Sequence, residues 1–118
     1  MNRVLLSGRL TKDPDVNIRN GVTVTEFVLA VPRGSKPSES NFIQCVAFGT
    51  TATNIGKYCV RGMKIIIDDG EWRVDQYTDR YGNVIYSNKC WVKHFEFAES
   101  KSSQHGFSEF GTTEMPFT

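Results

Sequence analysis

The segment FIQCVAFGTTATNIGKYCVRG, Phe42 to Gly62, decides how this 118-residue chain folds. Its first seven residues alternate: Ile43, Cys45 and Ala47 fall on one face, and Phe42, Gln44, Val46 and Phe48 on the other. The small apolar face suits a barrel interior, which leaves two aromatic rings on the outer wall. Helix-like sequence follows at once. Thr50 or Thr51 is placed to cap it, Ala52, Ile55 and Cys59 recur at spacings of three and four, and Gly62 is placed to end it. The unit reads as strand, helix, strand.

The flanking sequence extends the pattern in both directions. Asn2 to Leu10 is β-like, with Gly8 near its end and a turn at Lys12-Asp13-Pro14. Asn20-Gly21 is a hairpin turn signal, and beyond it Thr25, Phe27, Leu29 and Val31 share one face of a strand over Thr23 to Val31. A polar loop from Pro32 to Asn41 carries Arg33 and Lys36. After the helix, Met63 to Ile67 is a continuous apolar run suited to a buried strand, and Asp68-Asp69-Gly70 reads as a turn rather than a metal site. Glu71 to Tyr77 and Asn83 to Phe97 form a long hairpin around Asp79-Arg80-Tyr81-Gly82-Asn83.

One helix between the third and fourth of five antiparallel strands is the order of an OB-fold barrel. The expected class is therefore all-β: a five-stranded OB-fold barrel, one α-helix between strands three and four, and a long hairpin joining strands four and five. A small mixed sheet with one helix across it is the structural alternative.

Composition sets the surroundings. The length fits about one domain. Thirteen of the 14 Lys and Arg and ten of the 13 acids lie in residues 1–98, a net charge of +3, whereas the last twenty residues carry −2. A mildly basic body with a mildly acidic tail suits contact with a polyanion. Cys45, Cys59 and Cys90 are odd in number and widely spaced, which argues for buried thiols in a reducing compartment. Val4-Leu5-Leu6 is too short for a signal-peptide core, and no run approaches the ~20 apolar residues of a membrane span. Cytoplasm is the expected location, with no membrane partner.

Aromatic rings on an outer wall call for a flat partner, and nucleic-acid bases are the commonest one. The residues also carry a resemblance. MNRVLLSGRLTKDPDV, VTVTEFVLAVPR, NFIQCVAFGTTA and KYCVRGMKIIIDDGEWRVDQYTDRYGNVIY, in that order and spacing, resemble bacterial and phage single-stranded DNA-binding proteins over residues 1 to 97. The resemblance implies an OB-fold, a homotetramer (or a homodimer), and binding of single-stranded DNA without sequence preference. It also implies roles in replication, recombination and repair at the bacterial nucleoid, without catalysis and with no cofactor.

The resemblance assigns base stacking to Phe42, Phe48 and Tyr77. The competing reading makes either phenylalanine a plug for a barrel end and Tyr77 a solvated hairpin residue. Candidates for phosphate contact are Arg3, Arg9, Arg33, Lys57, Lys64 and Arg73, with Lys36, Arg61 and Arg80 behind them. Arg3 and Arg73 stand out, since Arg3 enters the first strand and Arg73 shares parity with Tyr77. Trp72 has the opposite parity, and Trp91 sits in a strand apolar on both faces. Both tryptophans are therefore expected in the core or a subunit contact, and alternation places Ile43 and Val4 near apolar faces that the resemblance assigns to subunit pairing. Two departures from the family pattern thin the site: polar residues near Ser35 replace an aromatic, for which Arg33 is a stand-in, and Gln44 and Asp75 replace or interrupt basic positions.

Residues 1–98 are thus expected to form the binding domain, and 99–118, polar and rich in Ser, Thr and Gly, a disordered tail. Family tails end in acids and a short Pro-Phe tip that docks replication and repair enzymes. Met115-Pro116-Phe117 keeps the apolar part, but only Glu114 supplies charge beside it, and Thr118 follows the Phe. That pattern suits an accessory or phage-encoded relative with its own partners. Catalysis is not expected: His94 and His105 lack a carboxylate pair or H-x-x-x-H neighbours in sequence, and no Gly-rich phosphate loop occurs. The alternative function is an OB-fold adaptor that binds RNA or a protein partner.

Overall fold

The computed structural model describes residues 1–98. Its elements are β1 (Val4–Leu10), β2 (Asp15–Arg19), β3 (Val22–Pro32), β4 (Ser40–Phe48), α1 (Gly49–Tyr58), β5 (Lys64–Thr78) and β6 (Val84–Phe97). Five strands close in the order β1-β5-β6-β4-β3, and β1 returns to β3 at Arg9↔Ala30 and Leu10↔Leu29. The closed five-stranded barrel is thus present, with the helix directly after the Phe42–Phe48 strand. The expected tail disorder and the Met115-Pro116-Phe117 tip lie outside the described residues.

The sixth strand is the one the sequence hid. β2 lies outside the ring on β3, paired from Asp15↔Glu26 to Arg19↔Val22. All five of its residues are exposed, so no buried face marks it. Asn20 and Gly21 turn β2 into β3 with φ of 52° and 81°, the two positive values that a type I′ hairpin requires.

Barrel closure depends on two seams. At the first, a Cβ on Gly8 would lie 2.5 Å from the Ala30 carbonyl oxygen, so the wall closes only over a residue without a side chain. The second joins β4 to β6 through three rungs, Cys45↔Cys90, Val46↔Trp91 and Ala47↔Val92. This ladder is parallel, a correction to the all-antiparallel expectation.

Met63–Ile67 and Glu71–Tyr77 are one strand, not two. Asp68-Asp69-Gly70, expected as a turn, is a bulge within β5. The rungs Gly70↔Val92, Asp69↔His94 and Ile67↔Phe95 leave Lys93 extra on one strand and Asp68 extra on the other. Each strand therefore reverses its parity there: Ile65 and Ile67 face inward before the bulge, whereas Gly70 and Trp72 do so after it. Two acids and a glycine that interrupt an apolar run have the composition of a turn. The bulge keeps the ladder and changes only which residues face in.

Helix α1 also departs from its expected ends. Phe48 is the N-cap residue and no side chain caps it; the Thr51 hydroxyl instead donates to the Lys93 carbonyl at 3.1 Å. The helix stops at Tyr58, where the Cys59 N–H donates to the Ile55 carbonyl, and Gly62 belongs to the turn before β5, its N–H donating to Leu10 O at 2.8 Å. Ala52, Ile55 and Cys59 are buried as their spacing predicts. They join Leu10, Phe27, Leu29, Cys45, Ala47, Ile65, Ile67, Cys90 and Val92 in one core, with Val4, Ile43 and Trp72 packed against it. Each large aliphatic side chain there contributes about 1.5–3 kcal/mol by leaving water. Thr25, buried among them, donates its hydroxyl to Ala52 O at 2.8 Å, which meets the need of a buried polar group.

Candidate nucleic-acid interface

Alternation along β4 sends Ile43, Cys45 and Ala47 inward and leaves Phe42 67% and Phe48 40% exposed. The two rings are six residue steps apart, roughly 20 Å of strand. Between them Gln44 is exposed, but Val46 is buried despite its outward parity. Its rung partners are Glu26 on β3 and Trp91 on β6. The outer wall at this point is thus a packed layer rather than bare strand.

Trp91 forms the centre of that layer. Its ring centroid lies 4.8 Å from that of Phe48, tilted by 41°. The Arg73 guanidinium carbon lies 3.8 Å from the Trp91 centroid, a cation–π contact. Trp91 thus belongs to the outer aromatic wall and not to the core. Parity held the signal: Trp91 stands between Cys90 and Val92, both buried, so its own side chain must face outward. Trp72, by contrast, packs against the core as expected.

Tyr77 joins Phe42 from a different element. β5 and β6 continue beyond the barrel as an arm, held at its tip by Asp79, whose carboxylate accepts the N–H groups of Tyr81 and Asn83. Those and neighbouring backbone hydrogen bonds draw the Asp79 carboxyl below its usual range. Near the tip of the arm, one rung from its last pair Thr78↔Val84, Tyr77 is 56% exposed. A groove of about 460 Å³ is lined by Phe42, Gln44, Trp72, Tyr77, Tyr86 and Asn88, among others. The three stacking candidates are therefore distributed as a pair around this groove, Phe42 and Tyr77, and a second platform at Phe48 beside Trp91.

Cations and carboxylates alternate over the outer wall. Glu71 bridges Arg73 (3.6 Å) and Lys93 (3.8 Å), and Glu26 bridges Lys89 (3.4 Å) and Arg19 (3.7 Å). Exposed pairs of this kind are worth about 0–1 kcal/mol each, little enough for a phosphate to compete for the cation. Lys89, the rung partner of Arg73, is a second residue that sequence reasoning passed over.

The other expected phosphate contacts are not gathered here. Arg3 donates to the Asp68 carbonyl at the bulge, 3.1 Å away. Arg9 donates to Gly62 O at 2.9 Å and is the rung partner of Lys64, at the end of β5 remote from Arg73. Lys57 sits in the last turn of α1, its ammonium 5.6 Å from the Tyr58 ring. Arg33 is held in the β3–β4 loop by Asn41 (3.0 Å) and Glu39 (3.3 Å), so its guanidinium is engaged locally.

A closed five-stranded barrel with a helix in this position and an outward aromatic wall crossed by cations defines an oligonucleotide-binding OB-fold protein. Comparison with known proteins supports the same class. The profile of the Single-strand binding protein family matches residues 1–98. A Single-stranded DNA-binding protein of Clostridium perfringens is 37% identical over 115 residues, which cover 95% of this chain and 76% of the relative. One of Fusobacterium nucleatum is 37% identical over 121 residues, covering 97% and 73%, and one of Oceanobacillus iheyensis is 34% identical over 116 residues, covering 94% and 71%. The chain belongs to the single-strand binding protein family. No helix among the described residues is long and apolar enough to cross a membrane.

Proposed function

We propose that this chain binds single-stranded DNA without sequence preference, by stacking bases on Phe42, Phe48 and Tyr77 and pairing phosphates with cations of the same wall. The observation that carries the reading is the exposure of Phe42 and Phe48 on a strand whose opposite face is core. Family membership supports it. Each stacked base contributes about 1–3 kcal/mol. Arg73 is the expected phosphate contact that the fold brings to the rings, with Lys89 beside it; Arg3, Arg9, Arg33, Lys57 and Lys64 serve as peripheral contacts along a longer strand path.

Residues 1–98 act as the binding domain and 99–118 as a tail, a division supported by the extent of the family match. The protein works without catalysis as a homotetramer on cytoplasmic, nucleoid-associated DNA, coating single strands in replication, recombination and repair. Met115-Pro116-Phe117 docks protein partners. Pull-downs with the full chain and a 1–113 chain test that last point: equal partner recovery removes the tail from it.

Titration of Trp fluorescence with dT oligomers of graded length, at several salt concentrations, tests the binding itself. Quenching by dT oligomers at concentrations where duplex has no effect, weakening as salt rises, is expected. Binding that ignores salt and survives loss of both Phe42 and Phe48 would defeat the reading and favour an adaptor.

A further inference from the structure

The double bulge between β5 and β6 does more than reverse strand parity. It places Asp68, the extra residue of β5, against His94 on β6, with His94 Nδ1 2.7 Å from Asp68 Oδ1. Glu96 stands two residues beyond His94 on the same side of the strand, at the rung with Ile66. One ligand atom from each of Asp68, His94 and Glu96 lies within 4.8 Å of the others. In sequence these residues are 26 and 28 positions apart and share no motif; the bulge brings them together.

We propose that Asp68, His94 and Glu96 bind a divalent first-row transition metal of the zinc type. An imidazole nitrogen with two carboxylate oxygens is a ligand set such cations accept, and three protein ligands leave a fourth position for water. Two carboxylates balance the charge of the ion. The spacing is also suitable. Zinc–ligand bonds of about 2.0–2.1 Å set tetrahedral ligand atoms about 3.3 Å apart. The ion must therefore open the 2.7 Å His94–Asp68 contact slightly and draw the widest pair in by no more than about 1.5 Å, small rotations for side chains 60% and 38% exposed. Bulges commonly re-aim side chains in this way beside functional sites.

The cations around the site limit its strength without blocking it. Arg3 donates to the backbone carbonyl of Asp68, not to its carboxylate, and so fixes the bulge while adding positive charge nearby. Lys93 is turned to Glu71. The site is expected to favour zinc over magnesium, because magnesium prefers all-oxygen octahedral shells and keeps its waters.

Isothermal titration of the full chain with Zn²⁺, and separately with Mg²⁺, tests the proposal. One Zn²⁺ per chain, weakened at least tenfold by His94→Gln and by Glu96→Gln but not by His105→Gln, is the expected result. Glu96→Gln leaves the His94–Asp68 contact in place, and an unchanged thermal midpoint shows that each variant is folded. Zinc binding that is absent, that is indifferent to His94 and Glu96, that is lost with His105, or that magnesium matches would overturn the assignment.

Discussion

The guanidinium of Arg73 covers the Trp91 ring at 3.8 Å while Phe48 approaches the same ring at 4.8 Å. Three side chains from three strands thus form one stack across the outer wall. Arg73 thus carries a planar face and a positive charge at the same point of the wall.

Replacing Arg73 should separate these contributions. Arg73→Ala is expected to lower affinity for dT oligomers and to flatten the plot of log affinity against log salt by about 0.7, the value of one phosphate contact on a single strand. Arg73→Lys should restore the slope but not the full affinity, since an ammonium lacks the planar face. An unchanged slope in Arg73→Ala would detach this residue from the phosphates.

Stacking should outweigh a single screened charge. Phe48→Ala is expected to cost about 1–3 kcal/mol of binding, a loss of roughly 5- to 150-fold. Lys36→Ala, in the β3–β4 loop, should cost less at moderate salt. The two titrations compare directly, and the reverse ranking would reject stacking on Phe48 as the stronger contribution.

Barrel closure makes its own prediction. Gly8→Ala sets a methyl group 2.5 Å from a backbone oxygen that belongs to the facing strand and cannot swing away. A loss of about 1–3 kcal/mol is expected from such overpacking, read as a fall in thermal midpoint. A midpoint unchanged from the parent would show that β1 and β3 do not approach this closely.

Two of the three buried cysteines, Cys59 and Cys45, predict a pH effect. Burial pushes the Cys59 thiol up to about 12 from an ordinary 9.0. A hydrogen bond to Cys90, together with burial, raises Cys45 as well. Unfolding lets such thiols ionise at their ordinary values, so their contribution is complete below about pH 9 and is lost as pH rises from 9 toward 12. Denaturant midpoints should fall across that window. At pH 8 a thiol reagent should find no reactive cysteine in the folded chain and three after unfolding.

Much of this was legible in the sequence, for reasons that differ by element. One face of β3 and one of β4 is core, so alternation places Phe27 and Leu29 inward and Phe42 and Phe48 outward, although Val46 is buried against that parity. The Ala52, Ile55 and Cys59 spacing placed the helix for the same reason. β2 was missed because burial leaves no trace in a strand with none. The bulge was missed because Asp68-Asp69-Gly70 has the composition of a turn, and only the pairing with His94 distinguishes the two. The outward direction of Trp91 is masked by apolar residues on both faces of its strand, although its buried neighbours Cys90 and Val92 fix it. The scatter of Arg9, Lys57 and Lys64 away from the aromatic wall depends on strand order, which no local pattern encodes.

The three-rung parallel seam has a kinetic meaning. It joins Cys45–Ala47 to Cys90–Val92, partners 45 residues apart, whereas the β5–β6 hairpin is local. Loop-closure entropy places such a contact after the local hairpins, as it does the β1–β5 ladder, whose partners lie 55 to 66 residues apart. Phe48 and Trp91 stand on opposite sides of that seam, so their shared platform exists only once the seam has closed. A strand of DNA laid across it would act as a clasp on that seam, favouring the closed barrel by mass action.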